Sequence, residues 1–172
     1  MSNINLTGKS LTLKELHSIA IGESGVSVSP VLQNKIKSQR KKLESQIKNF
    51  PEIPIYGTNR LHGDLKDVAV PYEFIEEYQV KYIKTHNCGT GEPLSIPEAR
   101  AIMVIRLNSF LKGHSGVSWD MCNMLIELLN KNVTPWILEE GSVGASGDLV
   151  PLAMIGAVII GLPDGKAYYK GN

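Results

Sequence analysis

The tripeptide Ala145-Ser146-Gly147 could rearrange into a reactive ring. If the backbone nitrogen of Gly147 attacks the carbonyl carbon of Ala145, a five-membered ring closes. Loss of one water from that ring and of a second from the Ser146 side chain leaves 4-methylidene-imidazole-5-one (MIO), a strong electrophile. Ala145 adds little bulk at the attacked carbonyl, and Gly147 has no Cβ to hinder its nitrogen. The same residues would also suit a plain glycine-rich turn before a helix.

The sequence around this tripeptide does not match the motifs of three other kinds of functional loop. A Walker-type phosphate loop needs a lysine, and there is none between Lys131 and Lys166. A dinucleotide loop needs G-x-G-x-x-G, which residues 141–148 do not spell. A nucleophile elbow needs G-x-S-x-G, but Asp148 stands where the second glycine belongs.

An apolar helix is predicted directly after the tripeptide, from Asp148 to about Ile160. Pro151 falls in its first turn, where a missing N–H costs nothing. The positive end of the helix would point at the ring and help to hold the negative charge that develops there. We therefore expect flexible residues that permit ring closure and a rigid helix that enforces it.

Capping signals predict the first two helices. Thr12 and Glu15 spell a capping box, so a short helix to about Ala20 should follow. Ser29 followed by Pro30 predicts a second helix, which should run to about residue 49.

The rest of the chain is typical of a mainly α protein with short strands and one long loop. Residues 50–71 hold three prolines and two glycines and predict an ordered loop, a place where function often resides. Helices are predicted at 72–86, 97–112 and 118–132, and the second of these is apolar on nearly every side, as a core helix would be. The alternating residues 25–30 predict a short strand.

Composition argues against several classes of function. The 172 residues include 18 basic and 17 acidic side chains, so charge does not favour nucleic acid or a membrane surface as partner. Cys88 and Cys122 are too few for a disulfide scaffold, and no metal-ligand spacing is present. There is no signal-peptide core, and the longest apolar run, 149–162, is too short for a membrane span. We expect a cytoplasmic protein without metal.

The segment GSVGASGDLVPLA, residues 141–153, resembles the active-site signature of the histidine and aromatic amino acid ammonia-lyase family. The blocks LTLKEL, IYGTN, THNCGTGEPL, RAIMVIRLNSFLKGHSGV and AYYKGN follow in the family's order and at about its spacing. The resemblance implies that residues 1–172 are the helical, MIO-bearing N-terminal third of an ammonia-lyase-like fold, without the C-terminal helical bundle. Histidine-specific members are the most similar.

The resemblance also implies an activity. In this family the ring made from Ala145, Ser146 and Gly147 engages an L-amino acid, the β-proton is removed, and ammonia leaves to give a trans-2-enoic acid. No external cofactor is needed, and the enzymes are homotetramers. For a histidine-specific member the product is urocanate.

Four further residues are implied to act in the site. Tyr56 matches the tyrosine of the family's YG-x-N segment and is the candidate base, although a packing role is the alternative. Asn59 matches the asparagine of the same segment and is a candidate substrate contact. Thr85-His86 resembles the Ser-His pair of histidine-specific members, where an imidazole could hydrogen-bond a polar ring. A histidine that stabilises a helix C-terminus is the alternative for His86.

The sequence departs from the family directly after Asn59. Family members usually continue Thr-Gly-Phe-Gly, whereas this chain reads Arg60-Leu61-His62-Gly63. One loop glycine is lost and two cation-capable side chains appear, so substrate choice and loop mobility both depend on this segment. Arg60 becomes a candidate substrate contact, with a solvent-facing side chain as the alternative.

Other functions remain open from the sequence. A lyase for phenylalanine or tyrosine and a 2,3-aminomutase would use the same ring, and a non-catalytic helical fragment or assembly module would only bind. We expect the 172-residue chain by itself to be inactive, with Ala-Ser-Gly an ordinary peptide. We also expect it to expose one apolar side of the last helix, which comprises Leu152, Ile155, Val158 and Ile159.

Overall fold

Six α-helices form most of the regular structure, in a computed structural model that describes residues 2–145 and 147–171. They span Leu13–Ala20 (α1), Pro30–Asn49 (α2), Ile75–His86 (α3), Ile96–Phe110 (α4), Trp119–Asn130 (α5) and Leu149–Ile159 (α6). The prediction of a mainly α fold is confirmed. Within these described residues, no helix combines the length and the apolar character that a bilayer crossing requires.

Short strands pair into two-stranded sheets. They span Asn3–Asn5 (β1), Gly25–Ser27 (β2), Thr90–Pro93 (β3), Val133–Pro135 (β4), Leu138–Glu140 (β5) and Ala167–Tyr169 (β6). β1 and β2 run parallel, whereas β3 pairs antiparallel with β5 and β4 with β6. The expected strand at residues 25–30 is present but shorter. Because β5 ends at Glu140, the β3–β5 pair lies directly before the glycine-rich segment.

Local capping bonds set the helix starts. α1 and α2 begin at the predicted caps, Thr12 and Ser29, whose side-chain oxygens each accept a backbone N–H. A second capping box was missed: Ser95 and Glu98 bond each other's backbone N–H, so α4 begins one residue earlier than predicted. The spacing Ser-x-x-Glu was a readable signal for it.

α4 lies at the centre of the core, as predicted. Met103, Val104 and Leu107 are fully buried between α1 and α5. Other helices and a strand add buried side chains to the same cluster: Val26, Ile36, Leu125, Leu129 and Ile155. Complete burial of a side chain of this size contributes about 1.5–3 kcal/mol, so this cluster holds the elements that carry the site.

A buried arginine on α4 joins three helices. The Arg100 guanidinium donates to the carbonyl oxygens of Ile19 at 2.9 Å, Ala20 at 3.1 Å and Leu129 at 3.1 Å. These carbonyls lie at the C-terminal ends of α1 and α5, where backbone acceptors lack intrahelical partners. Burial lowers the pKa of Arg100, but a guanidinium stays charged in proteins, so it stabilises both helix ends. The sequence carries no pattern that predicts this contact.

The expectation that α6 would expose its apolar side is wrong. Ile155 is buried in the core, and Leu152, Val158 and Ile159 are half-buried. α6 finds its partners within the chain because α3 and α5 pack against it. The helices approach closely at Gly156, where a Cβ would lie 3.3 Å from the Ile83 side chain.

The long loop between α2 and α3 is organised by hydrogen bonds within itself. We call residues 55–70 the tyrosine loop. Isolated bridges join Arg60 to Tyr56 and to Ala69, and a 3₁₀ turn spans Gly63–Leu65. A second 3₁₀ turn, Tyr72–Phe74, leads into α3, which therefore starts later than predicted.

Candidate active site

The structure places the candidate base, Tyr56, at the start of the tyrosine loop. Its side chain is 61% exposed, and its hydroxyl oxygen accepts the Gly63 N–H at 3.0 Å. The edge of its ring meets the ring of His62, with centroids 5.2 Å apart. The phenol is therefore held by a backbone donor of its own loop while it remains reachable from outside, as a base that acts on a substrate must be.

Asn59 is the buried centre of this loop rather than an exposed side chain. It is 2% exposed, and its Oδ1 accepts the Ile55 N–H at 2.7 Å. Its Nδ2 donates to the carbonyl oxygens of Pro51 at 3.1 Å and Ile53 at 2.9 Å. Both N–H bonds of the amide are thus engaged. In this arrangement Asn59 shapes the loop, and direct contact with a substrate would require the loop to rearrange.

Arg60 also stabilises the tyrosine loop through hydrogen bonds. Its guanidinium donates to the carbonyl oxygens of Asn59 at 2.8 Å and Glu52 at 3.4 Å. The side chain is half-buried, so it fits neither the solvent-facing alternative nor a fully free substrate contact. A role in substrate binding stays a prediction.

Thr85 and His86 end α3, and both side chains turn back onto the same carbonyl. The oxygen of Tyr82 accepts from Thr85 Oγ1 at 3.0 Å and lies 2.8 Å from His86 Nδ1. Since a carbonyl only accepts, Nδ1 carries the proton in that bond, and Nε2 of a neutral His86 is left as an acceptor. An acceptor at Nε2 is what a substrate with a ring N–H would need.

The structure reveals a cluster of rings that sequence analysis missed. Tyr78, Tyr82 and His86 lie four residues apart on one face of α3, a spacing that could have indicated it. His62 reaches this face from the tyrosine loop and stacks on Tyr82, with centroids 3.9 Å apart and planes inclined by 20°. His62 Nδ1 is also hydrogen-bonded to the Tyr78 hydroxyl. We call Tyr56 and these four residues the aromatic cluster.

The aromatic cluster favours uncharged side chains. Burial, and then the negative charge that Tyr82 and Tyr56 carry when they are ionised, raise the pKa of Tyr78. Burial, and then Tyr56, raise the pKa of Tyr82. Burial is the larger cause that lowers the pKa of His62, and the positive charge that His86 carries when it is protonated is the second. A neutral His62 is therefore the form that fits between the tyrosine loop and α3.

We expect the pKa of His62 to rise part of the way toward its ordinary value in His86→Gln, because one of its two causes is removed and burial remains. Nuclear magnetic resonance of the imidazole proton against pH measures this. Because the folded-state pKa is lowered, the stabilisation from docked His62 is fully present above about pH 6.5 and is lost as pH falls through the folded value. An unchanged or lower pKa in the variant would contradict the assignment.

A cavity of about 180 Å³ connects the end of α3 with the start of α6. Its wall includes Tyr82 and His86 of α3, Arg106 and Phe110 of α4, and Leu149 of α6. The Arg106 guanidinium lies 4.9 Å from the centre of the Phe110 ring, an attractive cation–π distance. Burial lowers the pKa of Arg106, which nevertheless stays cationic. His86 therefore faces a mainly apolar space beside the helix that follows the glycine-rich loop.

The glycine-rich loop, residues 141–147, is described on both sides of Ser146. Ala145 and Gly147 are exposed, and Ser146 lies outside the described residues. Gly147 has φ +118°, in the region that side chains rarely adopt, and nothing lies within 4 Å of a Cβ placed there. Ser142 Oγ accepts the Val150 N–H at 3.2 Å, which ties the loop to the first turn of α6. The predicted helix is present but begins one residue later, at Leu149, with Asp148 as its N-cap residue.

The structure thus brings some of the predicted site residues together and keeps others apart from them. Tyr56 and His86 belong to the aromatic cluster, and Asn59 and Arg60 support the loop that holds Tyr56. Among the described residues no hydrogen bond joins this cluster to the glycine-rich loop. The cavity brings His86 of the aromatic cluster and Leu149, the first residue of α6, into one wall.

Comparisons of the sequence with known proteins agree on one family. The model of the family described as aromatic amino acid lyase matches residues 11–172. A histidine ammonia-lyase from Streptococcus pyogenes is 42% identical over 171 residues, which are 98% of this chain and 32% of that protein. Another from Bacillus cytotoxicus is 36% identical over 98% of this chain and 33% of its own length. The chain spans about a third of the length of these curated relatives.

Solved structures resemble the fold closely. The ergothioneine-degrading ergothionase of Treponema denticola has a TM-score of 0.89 and 29% identity, over 98% of this chain and 34% of that one. The tyrosine aminomutase of Streptomyces globisporus has a TM-score of 0.87 and 31% identity, over 97% of this chain and 32% of that one.

Proposed function

Because this chain belongs to the aromatic amino acid lyase family, we propose that a full-length protein with this segment eliminates ammonia from an L-amino acid, with histidine preferred and urocanate as product. The observation that supports the choice of substrate is the end of α3, where Nε2 of His86 is left as an acceptor beside the cavity. An imidazole N–H of the substrate would match that acceptor, whereas an apolar ring would leave it unpaired.

Each residue then has a distinct task. Tyr56 takes the β-proton, with its oxygen oriented by the Gly63 N–H. The ring formed from Ala145, Ser146 and Gly147 supplies the electrophile that makes the amino group a leaving group. The N-terminus of α6 directs its positive end toward that loop and favours negative charge there. Thr85 assists by holding His86 at the shared carbonyl of Tyr82.

Further properties follow the family and are part of the proposal. The protein needs no external cofactor and no metal, acts in the cytoplasm and forms a homotetramer. Asn59 and Arg60 contribute by keeping the tyrosine loop in shape, and they would meet a substrate only when the loop moves. Residues 1–172 are proposed as the MIO-bearing N-terminal region, inactive without the remainder of the fold.

We expect the full-length protein to release urocanate from L-histidine faster than cinnamate from L-phenylalanine or coumarate from L-tyrosine. His86→Leu should shift the preference toward phenylalanine by at least about tenfold, because the half-buried acceptor for a polar ring is gone. Product absorbance gives both rates. His114→Leu is the matched control, since His114 is exposed on the loop after α4.

The results separate the competing functions. A wild type that prefers phenylalanine or tyrosine would overturn the role given to His86 and direct attention to Arg60. Binding of these amino acids without turnover would favour a non-catalytic module. Ergothioneine belongs in the same assay, since the Treponema denticola enzyme degrades it.

A 2,3-aminomutase is the second candidate, and one observation favours it. The tyrosine loop is docked against α3, and a loop that stays closed would retain ammonia long enough to add it back at the β-carbon. The fold is also similar to a tyrosine aminomutase. Chromatography of the reaction products for a β-amino acid distinguishes this candidate from a lyase.

A further inference from the structure

We infer that His62 is the positioning residue that docks the tyrosine loop onto α3 and thereby holds Tyr56 in place. The docking bond described here depends on a ring nitrogen of His62. The inference rests on the proposed function only for the part that Tyr56 plays in turnover.

Contacts on two sides fix the His62 ring. One face stacks on Tyr82, and Nδ1 is hydrogen-bonded to the Tyr78 hydroxyl. On the other side the ring lies so close to Gly57 that a Cβ there would be 2.7 Å from Nε2. Gly57 has φ +69°, which a residue with a side chain rarely adopts. The imidazole therefore fills the space between the loop backbone and the helix.

A second contact also holds the tyrosine loop against α3. Gln79 of α3 donates from Nε2 to the carbonyl oxygen of Gly57 at 2.9 Å. Tyr56 lies next to Gly57 in the chain, and its hydroxyl accepts the N–H of Gly63, the residue after His62. Each end of the segment from Tyr56 to Gly63 thus lies next to a residue that α3 holds, which is Gly57 at one end and His62 at the other. Release of His62 would loosen the donor that orients the phenol.

The first test is hydrogen–deuterium exchange of the full-length protein, read on peptides that cover the tyrosine loop. His62→Phe keeps the stacked ring and loses the bond to Tyr78, so exchange should be about two- to tenfold faster. Tyr78→Phe should have the same effect, because it removes the same hydrogen bond. The double variant should therefore exchange no faster than either single variant. His62→Ala also loses the stacking and should exceed about tenfold. His114→Ala is the control.

The second test asks whether His62 acts through Tyr56. His62→Ala should lower kcat about tenfold with a smaller change in KM, because a misplaced base slows the chemical step. In a Tyr56→Phe background the same substitution should have no further effect on kcat, since no phenol is left to position. A merely structural role would reduce turnover equally in both backgrounds.

The outcomes distinguish failure of the docking, of the positioning of Tyr56 and of the proposed function. Loop exchange in the His62 and Tyr78 variants equal to that of the control would overturn the docking, and an equal loss of kcat in both backgrounds would overturn the positioning of Tyr56. A protein that shows the exchange changes but releases no ammonia from any amino acid would refute the proposed function while it supports the docking. If His62→Ala does not fold, His62→Phe and Tyr78→Phe decide.

Discussion

Ser146→Ala should leave the full-length protein at its unmodified mass and lower turnover by more than about 10³-fold, a loss beyond that of a single oxyanion-hole donor. The wild type should be lighter than its sequence by two waters, because ring closure and loss of the Ser146 hydroxyl each release one. Intact-mass spectrometry and the urocanate assay measure the two effects on the same sample.

Ser142→Ala is the matched control for Ser146. It removes a hydroxyl from the same loop, one that accepts the Val150 N–H and ties the loop to α6. Loss of a cap of this kind costs about 1 kcal/mol of stability, so the protein should fold and keep the mass deficit. An active wild type at the unmodified mass would show that elimination proceeds without the ring.

Tyr56→Phe should lower kcat by about 10²–10⁴-fold, the range expected when a positioned acid or base is lost. The substitution removes only the hydroxyl, so the ring still meets His62 and the helical circular dichroism signal should not change. The Gly63 N–H loses its acceptor but lies on an exposed loop where water replaces it. Steady-state kinetics with L-histidine provide the measurement.

Tyr72→Phe is the control for Tyr56. Tyr72 is 57% exposed in the turn before α3, close in exposure to Tyr56, and its hydroxyl has no partner among the described residues. Its loss should leave kcat unchanged. Near-normal turnover in Tyr56→Phe would return Tyr56 to a packing role, and the base would have to come from elsewhere in the full-length protein.

Two of the features inferred from the sequence, the candidate ring chemistry and the helix starts, depend on residues that are close together in the chain. The ring chemistry of residues 145–147 involves only three consecutive residues, so their identities are sufficient to propose it. The helix starts at Thr12 and Ser29 depend on bonds between a cap and a backbone N–H three residues later. Such bonds form wherever the residue types occur at the right spacing, and tertiary context has little influence on them.

Only the tertiary structure decided how the candidate site is supported. His62 meets Tyr78 and Tyr82 because the tyrosine loop folds back on α3, and Arg100 meets carbonyls at Ile19 and Leu129 because three helices converge. The periodicity of one segment contains no information on which distant segment it will contact. The burial of α6 has the same origin, since its apolar side was visible in the sequence but its partners were not. The sequence by itself therefore determined the candidate tripeptide and the helix caps, whereas packing between distant segments determined which residues hold the candidate base, Tyr56.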